Sequence, residues 1–130
     1  MKVPCEMIVT YVLPVAKGAL TKELVTQHGL TQVEVSRLFG VTSAAVSQYV
    51  KGVRGGSALI DNSAYREDFY DFIAVMADEI VAGMQVTEAL CRICDFVRKS
   101  GLLKALYVHE GYDPDRLSFL DCSPLSVDKR

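Results

Sequence analysis

The chain has 130 residues, of which 50% are hydrophobic and 23% charged, enough for one compact domain or two very small ones. This composition excludes an intrinsically disordered chain, because it supplies enough apolar side chains for a core. No apolar run approaches the roughly 20 residues that cross a bilayer, and prolines and charges interrupt the N-terminal segment where a signal peptide would be uniformly apolar. We therefore expect a cytoplasmic protein without a membrane partner.

The charge is unevenly distributed along the chain. The formal net charge is -2, which by itself argues against a nucleic-acid partner. However, residues 1–56 hold six Lys and Arg against three Glu, a net +3, whereas residues 57–130 hold eight basic against thirteen acidic side chains, a net -5. The mildly basic first part and the acidic second part are therefore expected to meet different partners.

The first predicted element is helical. Apolar residues recur at helical spacing from Ile8 to Val25, which predicts a helix. Pro14 cannot donate the hydrogen bond of a helix interior, so we expect a kink or break near Leu13 and a new helical segment from Pro14. Gly29 is expected to end that segment, because glycine is preferred just beyond a helix.

Residues 30–52 predict two short helices joined by a turn. Thr31 and Glu34 form the spacing of a capping box that opens the first helix, and Gly40 supplies the sharp turn. Thr42 is expected to cap the second helix, and Gly52 to end it. The apolar side chains expected to face inward are Val35, Leu38 and Phe39 in the first helix and Ala45, Val46, Tyr49 and Val50 in the second. This is the pattern of a helix-turn-helix whose second helix reads DNA.

The outward side chains of the second helix suit the DNA major groove, because short polar groups let a helix approach the bases. The predicted base contacts are Ser43, Ala44, Ser47 and Gln48, of which Gln48 can pair bidentately with adenine. The predicted phosphate contacts are Gln32, Arg37, Lys51 and Arg54. The alternative interpretation is an ordinary helical hairpin with a polar outer face.

The second part of the chain predicts longer helices. After a loop over residues 53–63, a long amphipathic helix is expected from Ala64 to Met84. Its apolar stripe comprises Phe69, Phe72, Ile73, Met76, Ile80, Val81 and Met84. The first five of these are interpreted as a dimer interface. Core packing is the other interpretation of the stripe, and the two can coexist. A further helix, capped by Thr87, is expected to stop at Gly101.

The cysteines offer a second kind of chemistry. Cys91 and Cys94 are three residues apart, so on a helix they share one face and could act as two ligands of zinc or an iron–sulfur cluster, or as a redox pair. The other two cysteines, Cys5 and Cys122, are distant in sequence, which favours buried structural thiols without a cofactor. No arrangement of nucleophile and base, and no phosphate-binding loop, indicates an enzyme.

The chain resembles an archaeal family of predicted transcriptional regulators with an Xre-type, lambda-repressor-like helix-turn-helix. The resemblance is carried by Pro4-Cys5-Glu6, by Val12-Leu13-Pro14 and most specifically by the run from Ala44 to Tyr49. In the second half it rests on Cys91-Arg-Ile-Cys94 and Gly101-Leu-Leu. It implies DNA binding by the first half of the chain. It also implies a cysteine after Leu103, where this chain has Lys104, so a family metal or redox site would be incomplete.

We therefore expect a mostly all-α protein, with a helix-turn-helix DNA-binding domain in residues 1–55 and a helical dimerisation and sensing region in residues 60–130. The expected function is sequence-specific regulation of transcription by a homodimer on double-stranded DNA. The alternative is a metal- or thiol-redox-sensing module that uses Cys91 and Cys94, with DNA binding secondary or lost.

Overall fold

The structure, a computed structural model, describes the backbone of residues 3–56 and 58–117 and the side chains of residues 3–51 and 58–117. Within these ranges every regular element is helical, which confirms the predicted all-α class. The helices are α1 (Pro4–Met7), α2 (Leu13–Thr26), α3 (Gln32–Phe39), α4 (Ser43–Gly56), α5 (Ala58–Asp61), α6 (Arg66–Val81), α7 (Val86–Ser100) and α8 (Leu102–His109), with a π-helical turn at Ile8–Val12 and a 3-10 turn at Pro114–Arg116. None of the described helices has the length and apolar character of a membrane span.

Pro14 shapes the first helical run. Pro14 has no N–H to donate to the carbonyl of Thr10, so an α-helical turn cannot close at this position. The chain widens into a π-helical turn instead, in which the Leu13 N–H donates to the Ile8 carbonyl five residues back. The irregularity predicted near Leu13 is therefore confirmed, but it is a π-helical turn between α1 and α2 and the helical course is not interrupted.

The helix α2 occupies the centre of the molecule. It packs against α3, α4, α6 and α7, and its buried side chains lie around most of its circumference. They are Val15, Ala16, Ala19, Leu20, Thr21 and Leu24, together with Gly18. A helix that is buried on several faces needs little amphipathic contrast, and the small residues at 16, 18 and 19 let neighbouring helices approach closely. The buried core around α2 is continuous with that of the second half, from Met7 to Leu117.

Several predicted boundaries are wrong. The helix α4 does not end at Gly52 but continues to Gly56, and α5 lies inside the segment predicted as a loop. A glycine inside a helix costs about 1 kcal/mol relative to alanine but still donates its hydrogen bond, so it does not by itself stop a helix. In the second half α6 is shorter than the predicted Ala64–Met84, and α7 begins at Val86 with Gln85, not Thr87, at the N-cap position.

The apolar stripe of α6 is part of the core of the chain. Phe69, Ile73, Met76 and Ile80 are 0–3% exposed, so these side chains are not available to a second copy as the dimer prediction required. Phe72 is half-buried and stacks on Phe96, with ring centroids 4.8 Å apart. Core packing is the correct interpretation of these four side chains, which a second copy of the chain therefore does not contact.

The joint between α7 and α8 depends on a glycine. Gly101 has φ +96°, in the left-handed region, and ends α7 as predicted. A Cβ added at Gly101 would lie 2.9 Å from the Tyr65 hydroxyl oxygen. Gly111 has nearly the same φ, +98°, but a Cβ there would meet nothing within 4 Å. Comparing an alanine substitution at each glycine therefore distinguishes the cost of backbone strain from the cost of a steric clash.

We expect Gly111→Ala to lower the free energy of unfolding by roughly 1–2 kcal/mol, the cost of a left-handed alanine. Gly101→Ala is expected to cost roughly 1 kcal/mol more, because the added methyl must also displace the Tyr65 ring. Adding Tyr65→Phe should recover part of this difference. Urea unfolding followed by circular dichroism measures all three variants. Equal losses at the two glycines would show that the Tyr65 contact is unimportant.

Candidate nucleic-acid interface

The start of α3 is fixed by its capping box. The Thr31 hydroxyl accepts the N–H of Glu34 at 3.1 Å, and the Glu34 carboxylate accepts the N–H of Thr31 at 2.8 Å. These bonds satisfy backbone N–H groups that a helix leaves free at its first turn. The prediction made from the Thr31–Glu34 spacing is confirmed.

A tight turn leads from α3 into α4. Gly40 has φ +68°, the left-handed conformation that glycine adopts without strain, and the Val41 N–H returns to the Ser36 carbonyl at 3.0 Å. The Thr42 hydroxyl then accepts the N–H of Ala45 at 3.1 Å. This bond confirms the prediction that Thr42 caps α4. These local bonds set the direction in which α4 leaves the turn.

The inner face of α4 rests on α2. Val46 is fully buried, and Tyr49 is half-buried with its ring centroid 6.0 Å from that of Phe39. Two residues expected to face inward are largely exposed, Leu38 at 43% and Val50 at 39%. Val50 lies at the edge of the inner face of α4, next to the position of Ser43 on the helical wheel, so solvent reaches it.

The structure brings the predicted base-contacting residues together on the opposite side of α4. Ser43, Ala44 and Gln48 are exposed and Ser47 is half-buried. With the exposed Lys51 they cover about 140° of the helix circumference. We call this set, Ser43, Ala44, Ser47, Gln48 and Lys51, the α4 outer face. It is made of short or flexible polar side chains and one alanine.

The predicted phosphate contacts do not all share this side of the molecule. Gln32 is exposed at the first residue of α3. Arg37 lies about 140° around α3 from Gln32 and borders a cavity of about 580 Å³ between α3, α4 and the α6–α7 turn. Neither Gln32 nor any residue of the α4 outer face lines that cavity. The side chain of Arg54 lies outside the described residues.

The cavity beside Arg37 is bordered by two cations on a largely apolar wall. Lys17 and Arg37 line it together with Phe39, Tyr49 and Met84. The sequence does not indicate that Arg37 lies next to the second half of the chain. In the sequence Arg37 resembles the other basic residues of the predicted helix-turn-helix.

The thiols lie closer together than their sequence positions indicate. The Arg98 guanidinium donates to the Cys5 Sγ at 3.5 Å, which places the N-terminal segment against α7. Burial raises the pKa of the Cys94 thiol, and the neighbouring thiols of Cys91 and Cys5 raise it further while Arg98 opposes them. Cys91 is exposed and Cys94 is half-buried; Cys122 lies outside the described residues.

The described residues do not complete the predicted metal site. No group of three or more His, Cys, Asp or Glu side chains in residues 3–51 and 58–117 is arranged to hold a metal ion. Cys91 and Cys94 thus supply two of the four ligands that a structural zinc site uses.

Comparison of the chain with protein-family models, with curated proteins and with solved structures finds no match. Function is therefore inferred from the residues and geometry of the α3–α4 pair and of the thiols.

The contribution of the capping box to the free energy of unfolding can be measured with variants of Thr31. We expect Thr31→Ala to lower the free energy of unfolding by about 1 kcal/mol, because the Glu34 N–H loses its partner at the start of α3. Thr31→Ser keeps the hydroxyl and should remain close to wild type. Urea unfolding of the two variants makes the comparison. A loss as large for Thr31→Ser would mean that the threonine methyl, and not the cap, stabilises this helix start.

Proposed function

We propose that this chain is a sequence-specific DNA-binding regulator of transcription, in which α3 and α4 act as a helix-turn-helix and α4 enters the major groove. The observation that carries the proposal is the α4 outer face, which is exposed apart from the half-buried Ser47 and holds no bulky apolar side chain, while the inner face packs on α2. A recognition helix needs these two faces at once.

Base recognition is assigned to the first turns of α4. Gln48 presents a side-chain amide that matches the donor and acceptor of adenine in the major groove. Ser43 and Ser47 can bond a base edge or a phosphate, and Ala44 can contact a thymine methyl. Because these three side chains are small, the helix axis can approach the groove closely enough for Gln48 to reach a base.

Phosphate contacts position the helix on the duplex. Lys51 projects from the α4 outer face, and Gln32 stands at the N-terminus of α3, where backbone N–H groups point outward. Arg37 is the least supported member of the predicted phosphate set, because it borders the cavity toward α6 and α7.

The proposal includes a homodimer. The net charge of +3 on residues 1–56 is small for a DNA-binding module, so two linked subunits would supply the affinity that one lacks. A two-fold dimer would place two α4 helices in successive major grooves, about 34 Å apart. Its interface lies outside the buried stripe of α6. The proposed location is the cytoplasm, where the regulator would reach the chromosome. The proposed role is binding and not catalysis, so it requires no catalytic residue.

Lys51→Ala tests the phosphate contacts. Lys51→Ala should weaken binding to all DNA sequences alike and reduce the slope of log affinity against log salt by about 1 per subunit, because one phosphate contact fewer releases fewer counterions. Lys99→Ala removes the same charge from an exposed position at the end of α7 and should leave the slope unchanged. Fluorescence anisotropy with a labelled duplex at several salt concentrations measures both. Equal slopes for the two variants would remove Lys51 from the interface.

Gln48→Ala tests base recognition. The variant should lose about 10- to 100-fold in affinity for the preferred site, the discrimination of one bidentate pair, and should tolerate every base at one position of each half-site. Because Gln48 is exposed, the thermal unfolding of the variant should match wild type. An unchanged sequence preference would exclude Gln48 from base reading.

A further inference from the structure

We propose that Cys5 and Cys94 form a two-thiol site beside Arg98, which hydrogen peroxide oxidises to a disulfide that joins α1 to α7. Spacing in the sequence pairs Cys91 with Cys94 and leaves Cys5 distant from both. The structure changes the pairing, because it brings Cys5 to the face of α7 that carries Cys94. The proposal concerns the thiols alone and does not depend on DNA binding.

The geometry begins with the contact between Arg98 and Cys5. The guanidinium donates to the Cys5 Sγ at 3.5 Å across 93 positions of sequence. Cys91, Cys94 and Arg98 lie at positions i, i+3 and i+7 of α7, within about 60° of its circumference. Cys5 therefore stands beside the stripe of α7 that carries both other thiols.

Helix geometry excludes a disulfide between Cys91 and Cys94. Residues three apart on a helix have Cβ atoms about 5–6 Å apart, whereas a disulfide needs Cβ atoms about 3.5–4.5 Å apart. Cys91 and Cys94 both lie inside α7, which is continuous from Val86 to Ser100, so linking them would require the helix to unwind. Cys5 is on the separate four-residue helix α1 and can move toward Cys94 while α7 stays intact.

The exposure of each thiol to peroxide indicates the order in which Cys5 and Cys94 react. Cys5 is exposed, so peroxide reaches it directly, and the neighbouring Arg98 can donate to an oxygen added to its sulfur. Cys94 is half-buried, so peroxide reaches it less directly, and burial raises the pKa of its thiol. Cys5 is thus the first thiol to react and Cys94 the second.

The reaction balances with one peroxide. The Cys5 sulfur, as its thiolate, attacks one oxygen of hydrogen peroxide; the O–O bond breaks and the displaced hydroxide takes up the thiol proton and becomes water. Cys5 is then a sulfenic acid. The Cys94 sulfur attacks the Cys5 sulfur, the S–S bond forms, and the S–O bond breaks. The hydroxyl leaves with the Cys94 proton as the second water, so two thiols are oxidised and one peroxide is reduced.

The test uses the full chain, reduced and purified without oxygen, and then treated with hydrogen peroxide. Non-reducing digestion and mass spectrometry should find Cys5 linked to Cys94, with the intact mass lower by two hydrogens. The count of free thiols should fall from the four of the sequence by two. Circular dichroism before treatment confirms that each variant is folded.

Matched variants separate the pairs. Cys91→Ser should keep the yield of the Cys5–Cys94 link within about twofold, while Cys94→Ser should abolish it and leave a Cys5 sulfenic acid that dimedone traps. Cys5→Ser should also abolish it. A Cys5–Cys91 link, a Cys91–Cys94 link, a link to Cys122, or oxidation without an intramolecular disulfide would each overturn the proposal.

Discussion

The packing of α4 on α2 determines which side of α4 faces solvent. Because α2 is buried on several faces, its neighbours have few alternative positions, and α4 is anchored to it through the fully buried Val46. The opposite side of α4 is thereby turned outward as a fixed surface. The polar residues of the α4 outer face thus share a rigid support, which is what base recognition requires of a reading helix.

The same core connects the two parts of the chain. The buried side chains from Met7 to Leu117 are continuous, and polar contacts reinforce this connection at the periphery. His28 contacts Asp78 of α6 at 2.9 Å, and Tyr11 of the π-helical turn donates a hydrogen bond to Glu110 after α8. A change at the thiols on α1 and α7 therefore reaches α7, which packs on α2, the helix that also supports α4.

The sequence predicted best those features that short-range hydrogen bonds determine. Thr31 with Glu34, Gly40, Thr42 and Gly101 each act within a few residues of chain, and each has the predicted role. The incorrect predictions concern the partner against which a helix face packs. An apolar stripe looks the same whether it meets the core of its own chain or a second copy, and the α6 stripe meets its own core.

Tertiary placement likewise determines the surroundings of two residues, which the sequence does not indicate. Nothing near Cys5 in sequence indicates that Arg98 lies beside it, and nothing around Arg37 indicates the cavity toward the α6–α7 turn. In contrast, Ser43, Ala44, Ser47 and Gln48 were placed on one side of α4 from helical periodicity alone. Periodicity determines which residues share a face but not what that face meets.

The central claim is that the α4 outer face reads DNA sequence. The most direct measurement is selection of genomic fragments by the purified full chain, followed by sequencing of the bound fraction. If the α4 outer face reads DNA, the enriched fragments should share a sequence motif made of two related half-sites about one helical turn apart. Enrichment should also decline as the salt concentration is raised. A bound fraction with the same composition as the input, at low as at high salt, would contradict it.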